Sequence, residues 1–358
     1  MKEMTINFIM NSVGDPHLNK RIDEFLQKGY KVRLYGFDRN TATARRDDVV
    51  IIGTFSNAMS YGSRLGIYIK GIRGLFRSLT DNEGIWYYQG LDVAMFATWF
   101  NPNKKYIYEE CDLVHTNVGN KWLRSLLERI DKRIIRKAHR TVFTSEGFID
   151  YHYGAGKTAP TNIVVVPNRL PACVLQQQAE DLPHSTDVSH LRFAFVGGLR
   201  YRSLVSIAKL IATNFPNHEF HFYGFVSPKL RQEELPKGEN IFYHGAFKSP
   251  DDLPSIYSNI DVVVSTYDVA SDNVRYAEPN KLYEAIFFRR PIVVSSGTFL
   301  AKKVERLGIG YSVNPYNEQE VVALVKEVES NYNEKTESLS QIPRTSAIEE
   351  DNIDLITR

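Results

Sequence analysis

Short runs of β-branched and aromatic residues recur along the chain and read as buried strands: "TINFIM", "KVRLYGF", "VVIIG", "GIWYYQG", "KKYIYEE", "RTVFTS" and "NIVVVPN". Helix-like stretches separate several of them, which is the pattern of a parallel sheet. A second series follows: "LRFAFVGG", a helix near 203–213, "HEFHFYG", "NIFYHG", a helix near 251–258, "DVVVSTY", a helix after Pro279, "RPIVVSS", a helix near 298–307 and "GIGYSV". Between the series, "PNRLPACVLQQQAEDLPHSTD" is polar and broken by prolines. The pattern predicts an α/β protein of two doubly wound domains, residues 1–168 and 191–333, joined by a linker at 169–190. Residues 334–358 form a polar tail, partly disordered or lying back on the first domain. Ligands of such sheets bind outside the carboxyl ends of the strands, so the expected site lies in a cleft between the domains.

Composition narrows the class. At 358 residues with 43% hydrophobic content, the chain is long for one core and sufficient for two. No apolar run reaches the ~18–20 residues that span a bilayer, and the N-terminus lacks a signal peptide's basic start and apolar core, so the expectation is a cytoplasmic protein. Cys111 and Cys173 stand far apart with no CxxC spacing, which argues against a disulfide framework or a zinc site. The net charge of +2 hides an asymmetry: residues 1–180 carry 25 Lys and Arg against 18 Asp and Glu, leaving 19 against 24 for the rest.

Candidate chemistry gathers in the second series. No G-x-G-x-x-G follows either first strand and no Walker lysine motif occurs, which weakens nicotinamide chemistry and P-loop hydrolysis. In "EPNKLYEAIFF", proline opens a helix that Asn280 can cap, with free N–H groups attracting phosphate. Lys281 adds a positive charge, and Glu284, one turn later, can hold a ribose diol through both carboxylate oxygens. The competing reading is a surface ion pair worth a few tenths of a kcal/mol. In "FVGGLRYRSL", Gly197 and Gly198 allow close backbone approach, and Arg200 or Arg202 reaches a phosphate.

With these residues in hand, the sequence resembles GT-B glycosyltransferases of the glycosyltransferase family 4 kind, which include capsule, exopolysaccharide and lipopolysaccharide enzymes. The resemblance runs through "SVGDPHLNKRIDEFLQKGYKVRLYGF", "VVVPNRLP", "FVGGLRYRS", "YHGAFKSPDDLPSIYSNIDVVVSTY" and "EPNKLYEAIFFRRPIVVS". It implies two Rossmann-like domains facing across a cleft, a nucleotide-sugar donor held by the second and a glycan or lipid-linked acceptor held by the first. It implies no cofactor and no metal for catalysis. The donor-binding candidates are Gly14, Gly198, Arg200, Arg202, Glu278, Asn280, Lys281, Leu282 and Glu284; of these, the resemblance implies Glu284 for the ribose, Lys281 for the diphosphate and Arg200 or Arg202 as the basic residue beyond the glycine strand. The family's two glutamates have seven residues between them, but the first position is Tyr276 here. Either Glu278 takes over the contact with the donor sugar or backbone around Ala277–Asn280 does.

An inverting reaction also needs a base for the acceptor hydroxyl. Asp15 and His17 in "SVGDPH", and Glu110, Asp112 and His115 in "YIYEECDLVH", lie at strand ends of the first domain; Glu110 and Asp112 are favoured over Asp15. On the acceptor side, "YGSRLGIYIKGIRGLFRSL" aligns Lys70, Arg73 and Arg77 beside Ile69, Ile72 and Phe76, although four glycines weaken it as a helix. Such a segment either rests on the inner face of an anionic membrane or covers the sheet. Nucleic acid is disfavoured by the modest charge. The leading function is transfer of a sugar, from UDP by family frequency, in surface polysaccharide or glycolipid synthesis. The alternatives are a hydrolysing sugar-nucleotide epimerase and a non-catalytic nucleotide-sugar-binding subunit.

Overall fold

The computed structural model describes residues 4–39, 46–56, 59–80, 83–177, 180–228 and 230–358. The chain divides into two compact units, Met1–Pro167 with Asp351–Arg358, and Asn168–Glu350.

The first unit holds β1 (Thr5–Met10), β2 (Lys31–Asp38), β3 (Val49–Thr54), β4 (Ile85–Gln89), β5 (Tyr106–Glu110), β6 (Arg140–Phe143) and β7 (Ile163–Val165). They form one parallel sheet in the order β3-β2-β1-β4-β5-β6-β7. Helices α1 (Pro16–Gln27), α2 (Tyr61–Ser78), α3 (Gly90–Phe100), α4 (Lys121–Lys137) and α5 (Gly147–Tyr153) make the connections. The inner strands β1, β4 and β5 read as apolar runs because they are buried on both sheet faces. On one face Phe8 stacks on Tyr87 at 4.6 Å and meets Phe25 of α1 edge-on at 5.5 Å.

Helix α2 forms despite its glycines, and Gly71 shows why one is needed. A Cβ there would stand 2.3 Å from the Ile52 carbonyl oxygen, so the bare backbone is what lets α2 close onto β3.

The second unit holds β8 (Arg192–Val196), β9 (Glu219–Tyr223), β10 (Ile241–Gly245), β11 (Val262–Ser265), β12 (Ile292–Ser295) and β13 (Gly310–Val313), parallel in the order β10-β9-β8-β11-β12-β13. Its helices are α6 (Cys173–Gln177), α7 (Arg202–Asn214), α8 (Leu253–Ser258), α9 (Asp272–Tyr276), α10 (Asn280–Phe288), α11 (Phe299–Leu307) and α12 (Glu318–Ser340). The sheet changes direction between β8 and β11, and ligands of such sheets enter at the carboxyl ends beside that switch.

The stretch read as a linker is packed into this unit. Leu170 and Val174 are buried in its core, and the buried Arg290 donates to the Pro183 carbonyl at 2.9 Å and faces His184 Nδ1 at 3.1 Å. Of the stretch read as a tail, residues 334–340 continue α12. A final helix, α13 (Ile353–Thr357), belongs to the first unit, where Ile353 and Ile356 join the cluster around Phe8 and Phe25.

Candidate active site

At the carboxyl end of β8 the chain runs Gly197-Gly198-Leu199-Arg200. Gly197 adopts φ +149°, outside the range ordinary side chains prefer, and its N–H donates to the Tyr223 carbonyl at 2.7 Å. A Cβ on Gly198 would come within 2.7 Å of the ring tip of Phe225, an exposed side chain that would have to move aside. The same construction at Gly197 lies 3.8 Å from Cε of Lys281. The glycine strand end and the "PNKLYE" helix, far apart in sequence, are thus neighbours in space.

Helix α10 begins differently from expectation. Pro279 occupies the N-cap position, Asn280 is the first helical residue and is exposed, and no side chain caps the helix. Capping comes from the residue before the first helical one, and proline has no side-chain acceptor there, so the amides of the first turn keep no side-chain cap. Leu282 also departs from its assignment: its side chain is fully buried in the core, and its amide donates to the Pro279 carbonyl at 3.1 Å.

Lys281 Nζ donates to Glu284 Oε1 at 2.5 Å, and the buried Tyr257 hydroxyl donates to Glu284 Oε2 at 2.5 Å. Burial and the neighbouring Glu284 carboxylate push the Tyr257 phenol well above its usual range, so it stays a donor. Glu278 is likewise buried and held, by Tyr283 Oη at 2.8 Å and Lys303 Nζ at 2.7 Å. The helix end at α10 ceases at Arg289, which takes φ +55° and is fixed by Asp181 at 2.7 Å and the Leu339 carbonyl at 2.6 Å.

The two arginines differ. Arg202 is exposed and paired with Glu234 at 3.0 Å, whereas Arg200 is exposed, lies 5.8 Å from the Tyr201 ring and has no ion pair among the described residues. Asp268, beyond β11, accepts from the amides of Arg202 and Ser203 at 3.2 and 3.0 Å and therefore occupies the N-terminus of α7.

In the first unit, Gly14 is half-buried in the loop after β1. Asp15 caps α1: Oδ1 accepts from the amides of His17 and Leu18 at 3.0 and 3.2 Å, and Oδ2 accepts from Gln89 at 2.8 Å. That is a structural employment for the carboxylate. Asp112 is exposed on the turn after β5. Glu110 is interior, with Oε2 2.9 Å from His152 Nε2. Burial, helped by Asp112 and offset by a hydrogen bond with Asp131, pushes Glu110 up to about 8. A base must reach its proton, and this burial removes Glu110 from the surface.

Its neighbour Glu109 points to the other face of the sheet. Burial works against its charge, yet His17 at 2.9 Å and Arg21 at 3.7 Å hold it down at about 2. Against burial, the same carboxylate raises His17. The imidazole is thereby committed to an internal ion pair.

Residues 190–345 match the family model described as glycosyl transferases group 1. A search of curated proteins finds no match. Among solved structures, sucrose-phosphate synthase from Thermosynechococcus elongatus superposes with a TM-score of 0.66 at 12% identity, covering 98% of this chain and 97% of that one. HepE from Anabaena in complex with UDP and glucose gives 0.64 at 15%, covering 99% and 97%. WaaG, a glycosyltransferase involved in lipopolysaccharide biosynthesis, gives 0.63 at 12%, covering 98% and 99%.

The chain has the GT-B fold, and residues 190–345 of its second unit are similar to glycosyl transferases group 1.

Several groups that shape this candidate site escape sequence reasoning. Tyr257 sits in α8, 27 residues before the glutamate it supports, and Lys303 in α11 is 25 residues from Glu278. Neither belongs to a local motif. Asp268 had a weak signal as an acid following a strand end, opposite the helix that opens at Arg202.

Proposed function

We propose that this chain is a glycosyltransferase that takes its sugar from a UDP-sugar held by the second unit and passes it to a hydroxyl of a glycan or lipid-linked acceptor in surface polysaccharide or glycolipid synthesis. The observation that carries the reading is the Lys281–Glu284 pair beside Gly197. A buried carboxylate with both oxygens already oriented is suited to a ribose diol, since each oxygen retains a lone pair for a hydroxyl donor. Lys281, the uncapped amides of α10 and the guanidinium of Arg200, which has no ion pair among the described residues, would stabilise the charge that develops on the departing diphosphate. Support for uridine comes from HepE, which was crystallised with UDP.

Glu278 would orient the donor sugar through the polar groups around it, in place of the family glutamate that Tyr276 replaces. The exposed Lys70, Arg73 and Arg77 of α2 would bring the enzyme to an anionic membrane carrying its acceptor. No helix among the described residues is long and apolar enough to cross a membrane, so contact by a basic helix face is the mode proposed.

Incubation with a UDP-sugar, with and without a membrane-lipid extract, tests the reading. UDP release that depends on the extract supports transfer; epimerised free sugar without acceptor identifies a hydrolysing epimerase, and binding without turnover a non-catalytic subunit.

A further inference from the structure

The interior of the first unit contains a cluster that glycosyl transfer does not use. Glu110 ends β5, Asp131 lies midway along α4, and His152 lies in α5; they are 1%, 0% and 7% exposed. His115, 1% exposed, comes from the turn after β5. Glu110 Oε2 is 2.9 Å from His152 Nε2, Asp131 Oδ2 is 4.0 Å from the same nitrogen, and His115 Nδ1 is 3.4 Å from Asp131 Oδ2.

Two features set this cluster apart from a chance meeting of polar groups. First, four of its atoms, Glu110 Oε1, Asp131 Oδ2, His115 Nδ1 and His152 Nδ1, are buried and, among the described residues, have no hydrogen-bond partner outside the cluster. Buried polar atoms are nearly always satisfied, so four that face only one another call for a shared proton or a bound ion. Second, the charges do not balance. On the opposite face of the sheet Glu109 is compensated by Arg21, but no ion pair of Glu110 or Asp131 among the described residues involves lysine or arginine. Two carboxylates and two imidazoles are then balanced only by protons or by a bound cation.

We propose that Glu110, Asp131 and His152 bind a divalent transition-metal ion of the zinc class, with His115 placed as a fourth donor, and that the ion braces β5 against α4 and α5. Donors about 2.1 Å from a tetrahedral ion lie roughly 3.4 Å from one another, and the 2.9, 3.4 and 4.0 Å separations bracket that spacing. Mixed nitrogen and carboxylate donors suit zinc, whereas calcium and magnesium prefer oxygen alone. Outer partners are in place as well. The Tyr108 hydroxyl donates to Asp131 Oδ1 at 2.9 Å, and His115 Nε2 meets Tyr151 Oη at 3.0 Å, so each orients the group that would face the ion. The ion is a structural brace, separate from the donor chemistry of the second unit.

The test uses the full chain, stripped by chelator, equilibrated with micromolar zinc or cobalt, freed of excess ion and assayed for metal content and, with cobalt, for visible absorption. The expected result is about one ion per chain and a cobalt spectrum of low coordination number. Glu110→Gln and His152→Gln should each weaken retention at least tenfold. Tyr108→Phe, which removes only an outer hydroxyl, should weaken it about 10- to 100-fold with the fold intact, and so keeps the test decisive if the other variants do not fold. A wild-type chain that retains no ion, or ligand variants that retain it like wild type, overturns the proposal. So does a protonated-carboxyl infrared band that persists in zinc and vanishes in Glu110→Gln, because a shared proton then does the work assigned to the ion.

Discussion

Lys281 Nζ stands 2.5 Å from Oε1 of Glu284, one turn further along α10, while the Tyr257 hydroxyl closes on the other oxygen of the same carboxylate. The glutamate is therefore fixed before any ligand arrives, at a helix end whose amides no side chain caps. Preorganisation of this kind matters most for charge that appears during reaction.

Lys281→Ala should reduce kcat by roughly 100-fold with a smaller effect on KM, because the ammonium is assigned to charge that grows on the leaving diphosphate. Steady-state kinetics with a UDP-sugar check this. An equal fall in binding and turnover would make Lys281 a simple binding contact.

The two arginines after β8 should separate. Arg200 carries no ion pair among the described residues, so Arg200→Ala should raise KM for the donor about tenfold, the value of one charge-assisted hydrogen bond. Arg202 is already paired with Glu234 at the surface, and Arg202→Ala should stay within about twofold. The reverse order would assign the phosphate contact to Arg202.

Tyr257→Phe leaves one oxygen of a buried carboxylate unpartnered. Its expected cost is about 1–3 kcal/mol in urea unfolding, larger than for a surface tyrosine. An unchanged midpoint would mean that the Tyr257–Glu284 bond does not form.

Glu109 predicts an acid limb. Its folded pKa lies near 2, below the ordinary value of 4.5, so its contribution is complete above pH 4.5 and is lost as pH falls from there through 2. The difference corresponds to about 3 kcal/mol. Its partner His17 is raised above 6.5, so that contribution is complete below pH 6.5 and fades as pH rises through the folded value. Unfolding free energy measured from pH 2 to 7 should lose most of this acid dependence in Glu109→Gln, and an unaltered slope would assign it to other carboxylates.

Much of this architecture was readable from residue order. The thirteen strands among the described residues follow from β-branched and aromatic runs, and the inner ones do so because parallel strands buried on both faces leave continuous apolar stretches in the sequence. The pairing of Lys281 with Glu284 was readable for a different reason: both lie on one helix face, where spacing alone decides proximity. Contacts made across elements were not. "YIYEE" shows adjacent glutamates, but nothing local tells that Glu109 meets Arg21 on one face of β5 while Glu110 meets His152 and Asp131 on the other. Asp15 looked like chemistry because it follows a strand end, and the structure uses it to cap α1. The glycines of α2 looked like helix breakers until Gly71 met the Ile52 carbonyl.

If α2 docks on membranes, charge reversal at Lys70, Arg73 and Arg77 should abolish sedimentation with anionic vesicles while leaving turnover of a soluble acceptor unchanged. Each charge is worth about 1 kcal/mol at such a surface, so the combined change should exceed 100-fold in partitioning. Equal sedimentation of variant and wild type would leave α2 as a cover for the sheet.

Calorimetric titration of UDP into the wild type and into Glu284→Ala tests the donor site most directly. The expected result is one UDP per chain for the wild type and an affinity lower by at least tenfold in the variant, since a carboxylate that accepts two ribose hydroxyls is lost. Equal affinities, or a wild type that does not bind UDP at all, would contradict the assignment of this pocket.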